Sequence, residues 1–380
     1  MTTYEDAGVS LSLGDKASAL MYEAARQTWE NRKGRLGEVL VPFDDFSGLR
    51  AMDVSQLPSG SWMNMGFDGV GTKMEVAERV GDLRTLAFDL FAMVCDDAVI
   101  RGAEPVLIGS ILDVNSLQGV DGDHIFAIEQ LAEGYVKAAK EAGVAVVNGE
   151  IAELGSRVGG FGDFCSNWGA SVVWFARQQR LLTGREVKPG DTVLGLKEEG
   201  FRSNGLSLAR KVLQEQYGAA WHCESFGETT LGQLVLHPSR IYTRPLVAMT
   251  GGFADEPRAT LHAAAHITGG GLPGKLGRAL KASGLGARLD SPMQPNALMK
   301  HLQELAGIRD AEAYRTWNMG QGMVLVSPEP EAVEAVASEL GFECQRLGEV
   351  IEEPHIQILS QGALQPGQWL EFGLDGEEVA

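Results

Sequence analysis

Apolar runs separated by polar, glycine-containing turns divide the chain into short strands and amphipathic helices. In the first half this pattern predicts strands at 62–65, 106–112, 144–147 and 170–176, and helices at 16–32, 85–101 and 124–142. In the second half it predicts strands at 192–196, 323–326 and 344–350, and helices at 207–216, 238–250, 275–282 and 328–340. Ser327 is the expected N-cap of the last helix, with Pro328 at its first position. Both halves mix strands and helices, so we expect an α/β (α+β) fold with two mixed domains.

The length of the chain predicts two domains, since 380 residues are compared with roughly 150 per domain. The helix at 16–32 belongs to an N-terminal arm over 1–50, which a first domain over 51–180 follows. The turn Lys188-Pro189-Gly190-Asp191 introduces the second domain, over 181–380.

The charge balance excludes some classes of partner. Lys and Arg number 32 against 51 Asp and Glu, and the net charge of −19 argues against nucleic acid or an anionic membrane as main partner. An anionic small substrate is not excluded, because a metal ion or local basic residues reverse the sign within a cleft. The four cysteines form no CxxC pair, which is typical of a reducing compartment and gives no support to a zinc site. With no signal-peptide pattern and no apolar run near ~18 residues, we expect a cytoplasmic protein.

The segment Gly66-Phe67-Asp68-Gly69-Val70-Gly71-Thr72-Lys73 carries the densest candidate chemistry. An acid, two glycines and Thr-Lys follow a short apolar run that we interpret as a strand. Glycine lets the backbone approach phosphate oxygens closely, and an Asp beside such a loop can hold Mg²⁺. We therefore interpret Asp68, Gly69, Gly71, Thr72 and Lys73 as a phosphate- and metal-binding segment, with a plain turn as the alternative.

Carboxylates on the helix predicted at 85–101 form a second candidate. Its apolar residues surround it almost completely, which predicts burial, yet it carries Asp89, Asp96 and Asp97. A buried carboxylate needs a partner, because burying an unpaired charge is expensive. The partner is either an arginine such as Arg101 or a divalent metal, and we assign Asp97 to the metal.

The sequence Asn148-Gly149-Glu150 follows the buried strand predicted at 144–147. A carboxylate just past such a strand lies where open α/β sheets keep their sites. We therefore predict that Glu150 completes an oxygen shell for Mg²⁺ with Asp68 and Asp97. A solvated or helix-capping Glu150 is the alternative.

Two loops of the second half have the composition of anion- or amide-binding segments. The candidate ligands are Ser203, Asn204, Gly269, Gly270 and Gly271. His266 stands beside the glycine-rich loop and is a candidate acid or base near neutral pH. The alternatives are an ordinary Asn-Gly turn for the first loop and a structural role for His266.

In this order, the motifs resemble the phosphoribosylformylglycinamidine cyclo-ligase (aminoimidazole ribonucleotide synthetase) family. The matching segments are Tyr4-Glu5-Asp6-Ala7-Gly8-Val9, Asp68-Gly69-Val70-Gly71-Thr72-Lys73, Asp89-Leu90-Phe91-Ala92-Met93, Gly102-Ala103-Glu104-Pro105, Ser203-Asn204-Gly205-Leu206-Ser207-Leu208, Arg240-Ile241-Tyr242, His266-Ile267-Thr268-Gly269-Gly270-Gly271 and Asn318-Met319-Gly320-Gln321-Gly322-Met323. The likeness covers about residues 4–350.

The resemblance implies a cytosolic homodimer of two-domain subunits that uses ATP and Mg²⁺ in purine biosynthesis. ATP activates the formyl amide oxygen of the ribonucleotide substrate, an amidine nitrogen closes the imidazole, and phosphate leaves. Lys73 and the glycine-rich backbone would hold phosphate oxygens, Asp89 would belong to the nucleotide site, and Ser203, Asn204 and Gly269–Gly271 would grip the ribonucleotide. His266 would carry the proton.

The chain departs from the family pattern at several of these places. Val41–Gly48 replaces a Gly-Gly-Phe-Gly-Gly loop, Cys95 begins the segment that usually reads Val-Asn-Asp, and Arg202 replaces the His of His-Ser-Asn-Gly. The loop at 148–156 lacks the family's Thr and Pro. Two alternatives therefore stay open beside the cyclo-ligase: a paralogue that phosphorylates another small molecule, and a nucleotide-binding subunit without turnover.

Overall fold

The described part of this computed structural model, residues 10–42 and 48–379, forms two compact units. The first contains its described residues up to Ala98 together with Glu104–Gln178, and the second contains Val99–Ala103 together with residues 179–379. Strands and helices occur in both units, which confirms the predicted mixed α/β fold. The motif at 4–9 and most of the altered loop at 41–48 lie outside the described residues.

A four-stranded sheet with helices organises the first unit. Its elements are α1 (Leu11–Thr28), β1 (Ser61–Gly69), α2 (Lys73–Val80), α3 (Leu86–Val99), β2 (Glu104–Val114), α4 (Ile125–Ala142), β3 (Ala145–Glu153) and β4 (Ser166–Arg177). The strand order is β1-β4-β2-β3, in which only the β2–β3 pair is parallel. Aromatic rings fill the core, since Tyr135 stacks on Phe91 at 5.2 Å and meets Trp168 at the same centroid distance.

Two strands of this sheet run further than the apolar pattern predicts. The strand predicted at 62–65 continues through Asp68 to Gly69, because β1 pairs with β4 along its whole length. The strand predicted to stop before Glu150 continues to Glu153 in register with β2. Both candidate carboxylates therefore lie within strands, where they are exposed to solvent, and the expectation that they follow strand ends was wrong.

The first helix also starts earlier than its spacing indicates. It begins at Leu11 because the Ser10 hydroxyl accepts the amide of Leu13 as an N-cap. The helix gives way to a 3₁₀ turn at Trp29–Arg32, inside the predicted span.

A seven-stranded sheet organises the second unit. The elements are β5 (Thr192–Lys197), α5 (Leu206–Tyr217), β6 (Ser225–Phe226), β7 (Thr229–Thr230), α6 (Leu231–Leu236), α7 (Thr243–Thr250), β8 (Ala263–His266), α8 (Gly271–Leu280), β9 (Gly286–Leu289), α9 (Ala297–Ala306), α10 (Asp310–Thr316), β10 (Gln321–Ser327), α11 (Pro330–Glu339), β11 (Cys344–Ile351), β12 (His355–Leu359) and β13 (Trp369–Gly373). The large sheet has the order β13-β12-β9-β11-β5-β10-β8, with β6 and β7 forming a separate hairpin. Side chains of α7 and α11 join those of β5 and β10 in one apolar core that includes Val99.

Two helices of the second unit begin later than predicted. The segment before Thr243 is irregular, so only the second half of the helix predicted at 238–250 forms. Ser327 ends β10 and is not an N-cap, because its hydroxyl donates to the Thr260 carbonyl at 2.6 Å and accepts the Glu329 amide at 3.0 Å. Proline does occupy the first turn of α11, but it is Pro330. No described helix is long and apolar enough to cross a membrane.

Candidate active site

Two of the predicted carboxylates, Asp68 and Glu150, line one cavity of the first unit. This cavity, the carboxylate cavity, has a volume of about 720 Å³ and is lined by residues of β1, β2, β3 and β4. Asp68 pairs with Ala170 across the sheet, and its Oδ1 accepts the amide of Gly69 at 2.7 Å. β1 and β3 are the two edge strands of the sheet, so Asp68 and Glu150 border the same cavity from opposite sides, with β4 and β2 between them.

Asp97 is not among the residues that line the carboxylate cavity. On α3, Asp89 and Asp96 face the interior with no exposed surface, whereas Asp97, one residue further round the helix, faces solvent. Among the described residues, no three His, Cys, Asp or Glu side chains are close enough to hold a metal together. Two members of the predicted trio therefore line one cavity from opposite edges of the sheet, and the metal assignment stays a prediction.

Lys73 and Asp89 form a buried ion pair. The Lys73 Nζ lies 2.7 Å from Asp89 Oδ1, and neither side chain has exposed surface. Of the two buried carboxylates of α3, Asp89 thus has a lysine partner, which was not among the partners predicted from the sequence. The pair fastens the first residue of α2 to α3 and directs the Lys73 ammonium into the interior.

The turn between β1 and α2 needs its glycines. A Cβ at Gly69 would lie 3.0 Å from the Trp168 carbonyl oxygen, and Gly71 has a φ of 67°, in the left-handed region. Thr72 is the N-cap of α2 but makes no side-chain capping hydrogen bond. Exposed Gly71 and Thr72 therefore precede a helix N-terminus, in a geometry suited to anions.

A second cavity of the first unit, which we name the arm cavity, was not indicated by any motif. It has a volume of about 580 Å³ and is bounded by α1, Arg50, Tyr135 of α4, and residues of β2 and β3 that include Glu150. Arg50 lies over the Tyr22 ring at 4.8 Å, and burial raises the pKa of Tyr135, which hydrogen-bonds Ser110 at 2.6 Å. The apolar spacing of α1 predicted a helix but could not indicate which strands it covers.

His266 of the second unit lies at the end of β8 and is 2% exposed. Its Nε2 is 2.6 Å from Nη2 of Arg202, whose Nη1 is 2.7 Å from Glu198 Oε2. Glu198 was not among the predicted site residues, because it pairs with Arg202 within the irregular segment between β5 and α5, where no regular spacing indicates the contact. The histidine expected to carry a proton is thus part of a buried charged cluster.

The Ser203-Asn204 segment supplies buried polar atoms to the second-unit site. Ser203 Oγ and Asn204 Oδ1 have no hydrogen-bond partner among the described residues. Buried polar groups are normally satisfied, so such a pair indicates a ligand or water position. A Cβ built on Gly269 would lie 3.9 Å from Asn204 Nδ2, which places the two predicted loops side by side.

The glycine-rich loop leads directly into α8. Gly270 is its N-cap with a φ of 94°, and there is no side-chain cap. A Cβ on Gly271 would overlap the Tyr314 carbonyl oxygen, so this position admits only glycine. Gly205, also left-handed and without a side-chain cap, precedes α5 in the same way. Two helix N-termini with unfilled caps therefore follow the two neighbouring loops.

Both units match known families. The model for the N-terminal domain of AIR synthase related protein matches residues 50–166, and the model for its C-terminal domain matches residues 188–360. The phosphoribosylformylglycinamidine cyclo-ligase of Pyrococcus furiosus is 34% identical over 363 residues, which span 95% of this chain and 99% of that one. The chain belongs to the phosphoribosylformylglycinamidine cyclo-ligase family. This is a family of enzymes, and the relationship confirms the resemblance seen in the motifs.

Solved structures of proteins with low sequence identity have a similar fold. Thiamine-monophosphate kinase from Stenotrophomonas maltophilia superposes with a TM-score of 0.59 at 16% identity, covering 91% of this chain and 96% of that one. T. maritima PurL, solved in complex with ATP, gives 0.51 at 14% identity over 97% of this chain and 52% of that one. At these identities the likeness concerns the fold alone.

Proposed function

We propose that this chain closes formylglycinamidine ribonucleotide to aminoimidazole ribonucleotide with ATP, releasing ADP and phosphate, in purine biosynthesis. The observation that carries the proposal is the match with the Pyrococcus furiosus cyclo-ligase, which extends over 99% of that enzyme. A match over both units favours the same reaction over a paralogous kinase or a binding subunit. The left-handed glycines and the unpartnered Ser203 and Asn204 atoms supply binding groups in the motifs that carry the likeness.

The carboxylate cavity is our proposed site for the phosphates of ATP and for Mg²⁺. Asp68 and Glu150 line it from opposite edges of the sheet, and Mg²⁺ in phosphate sites prefers one or two carboxylates plus phosphate oxygens, so either carboxylate could hold an ion beside a bound phosphate. When bound there, Mg²⁺ would offset negative charge on the phosphates. Gly69, Gly71 and Thr72 would offer backbone amides, while Lys73 would act indirectly, by fixing the start of α2 through Asp89.

We propose that two loops of the second unit, Ser203-Asn204 and Gly269–Gly271, bind the ribonucleotide. Ser203 Oγ and the Asn204 amide can donate to, or accept from, a phosphate or amide group, which would satisfy atoms that are otherwise buried without partners. The left-handed Gly270 and Gly271 leave the backbone amides at the start of α8 open to an anion. His266, at the start of this loop, is the proposed proton carrier.

A second copy of the chain is the proposed partner of β1. This edge strand exposes Trp62, Met63, Met65 and Phe67 by 51%, 60%, 46% and 74%. An exposed apolar edge strand is a liability unless something covers it, which supports a homodimer. All four cysteines are free thiols, which supports a cytoplasmic location.

Phosphate release from Mg-ATP tests the proposal, measured with and without formylglycinamidine ribonucleotide while aminoimidazole ribonucleotide is followed in parallel. We expect release that depends on the ribonucleotide and matches product. Asp68→Asn should abolish it, whereas Asp121→Asn, on an exposed turn away from both cavities, should not. Release without that product would favour the paralogous kinase, and ATP binding without release would favour the binding subunit.

A further inference from the structure

His266 lies in a buried cluster of charged and polar side chains whose arrangement the proposed reaction does not explain. Arg202 has no exposed surface, Glu198 is 1% exposed, and Tyr242 packs beneath the guanidinium with its ring centre 5.1 Å away. Arg202 Nη2 lies 2.6 Å from His266 Nε2, a distance at which one nitrogen must donate to the other.

The chemistry of arginine decides which nitrogen donates. A guanidinium carries five N–H donors, has no acceptor and stays protonated, so Arg202 donates and His266 Nε2 accepts. An imidazole that accepts at Nε2 carries its proton on Nδ1. We propose that Arg202 is a positioning residue that holds His266 as the neutral Nδ1–H tautomer. A proton that His266 exchanges with substrate then moves through Nδ1, a consequence that rests on the proposed function.

The guanidinium is held from several sides. Its Nη1 donates to Glu198 Oε2 at 2.7 Å and to the Arg240 carbonyl at 2.9 Å. Glu198 is itself held, since its Oε2 accepts the Arg240 amide at 3.3 Å and its Oε1 accepts the Gly200 amide at 3.3 Å. The guanidinium therefore cannot turn away to allow a proton on Nε2 without breaking buried charge-assisted hydrogen bonds. A proton added there would place two cations at contact distance inside the protein, with Glu198 as the compensating charge.

This fixation depends on the guanidinium at position 202. A neutral histidine there could present either a donor or an acceptor to His266. An arginine at the same place allows a single arrangement. Arg202 also has a φ of 60°, so the backbone directs its side chain from a left-handed conformation that few residues adopt.

The tautomer is measurable in the full-length chain labelled with ¹⁵N-histidine. Long-range ¹H–¹⁵N correlation separates protonated from unprotonated ring nitrogens, and His266→Gln assigns the signals among the seven histidines. We expect Nδ1 of His266 to be protonated and Nε2 to be unprotonated at pH 7.5. In Arg202→Met the Nε2–H form or an exchanging mixture should appear, and turnover should fall roughly tenfold or more.

Arg180→Met is the matched control, because Arg180 also bridges main-chain carbonyls of the second unit, those of Gly251 and Asp255, without contacting His266. It should leave the His266 signals unchanged. If Arg202→Met fails to fold because Glu198 is left buried and unpaired, the double variant with Glu198→Gln removes both charges and gives the same readout.

A protonated Nε2 in the unmodified protein, or an Arg202→Met spectrum identical to the parent, would overturn the inference. Because the spectra need no turnover, an inactive protein with the expected tautomer would refute the proposed function and leave the inference intact.

Discussion

Removing one member of the buried Lys73–Asp89 pair should destabilise the first unit strongly. At 2.7 Å and an effective dielectric constant of about 20, the attraction is about 6 kcal/mol. Desolvation of two fully buried charges offsets much of this. A single substitution removes the attraction but leaves the other charge buried, and breaking such a pair costs about 3–5 kcal/mol.

The two single variants and one double variant separate the attraction within the pair from the cost of burying a single charge. We expect Lys73→Met or Asp89→Asn to lower the melting temperature of the first unit by roughly 6–20 °C, at about 2–4 °C per kcal/mol. The double variant Lys73→Met, Asp89→Leu should recover most of this loss, because it leaves neither charge of the pair buried alone.

Calorimetry or circular dichroism during heating provides the measurement. Lys137→Met breaks an exposed pair with Glu133 and is the matched control, with an expected melting temperature close to that of the parent. Single variants that melt like the control, or a double variant no better than either single one, would refute the buried-pair reasoning. Normal stability of Lys73→Met combined with loss of ATP binding would return Lys73 to direct phosphate contact.

Three further perturbations test local features. Gly271→Ala should lower the free energy of unfolding by about 1–3 kcal/mol, because its Cβ would overlap a carbonyl oxygen at a φ of 61°. Gly274→Ala is the control, since the nearest neighbour of its Cβ would be at 3.7 Å, and it should be neutral or slightly stabilising. Thermal melts that show equal stability for the two variants would contradict this. Burial raises the pKa of Cys344 to about 12, so at pH 8 iodoacetamide should modify exposed Cys223 well before Cys344, and equal rates by mass spectrometry would contradict this. Burial raises the pKa of Tyr135 above 10, so the unfolded chain loses the tyrosine proton at a lower pH than the folded chain does. The free energy of unfolding should therefore fall above pH ~10, and more steeply in the parent than in Tyr135→Phe. Urea titrations at a series of pH values measure this difference.

The helices and buried strands could largely be predicted because their signal is local. The apolar spacing of 85–101 and 124–142 corresponds closely to α3 and α4. The ends of β1 and β3 could not be predicted, because those residues are exposed or half-buried and owe their extended form to pairing with strands far along the chain. The misplaced N-cap has the same origin, since the Ser327 hydroxyl bonds a distant carbonyl, that of Thr260.

The candidate site likewise has features that the sequence predicted and features that it did not. The glycine positions could be predicted, because left-handed φ angles and close backbone approaches restrict which residue type can occupy a position, as at Gly270. The partners of charged side chains could not be predicted from the sequence, because they depend on how separate helices and strands pack. The lysine partner of Asp89 was therefore not predicted, and the contact between Arg202 and His266, 64 positions apart, had no sequence signal.

The five residues Val99–Ala103 belong to the second unit although first-unit segments precede and follow them. Val99 contributes to the second-unit core, and the Arg101 carbonyl accepts the Leu182 amide at 3.1 Å. No single cut in the chain therefore yields both units complete, and a fragment that starts at Gln179 lacks a piece of its own core. During synthesis, this piece emerges before β2, β3 and β4 but finds its partners only after they have been made. The order in which the chain is made thus couples the maturation of the two units, so truncation studies of this protein must retain or replace that segment.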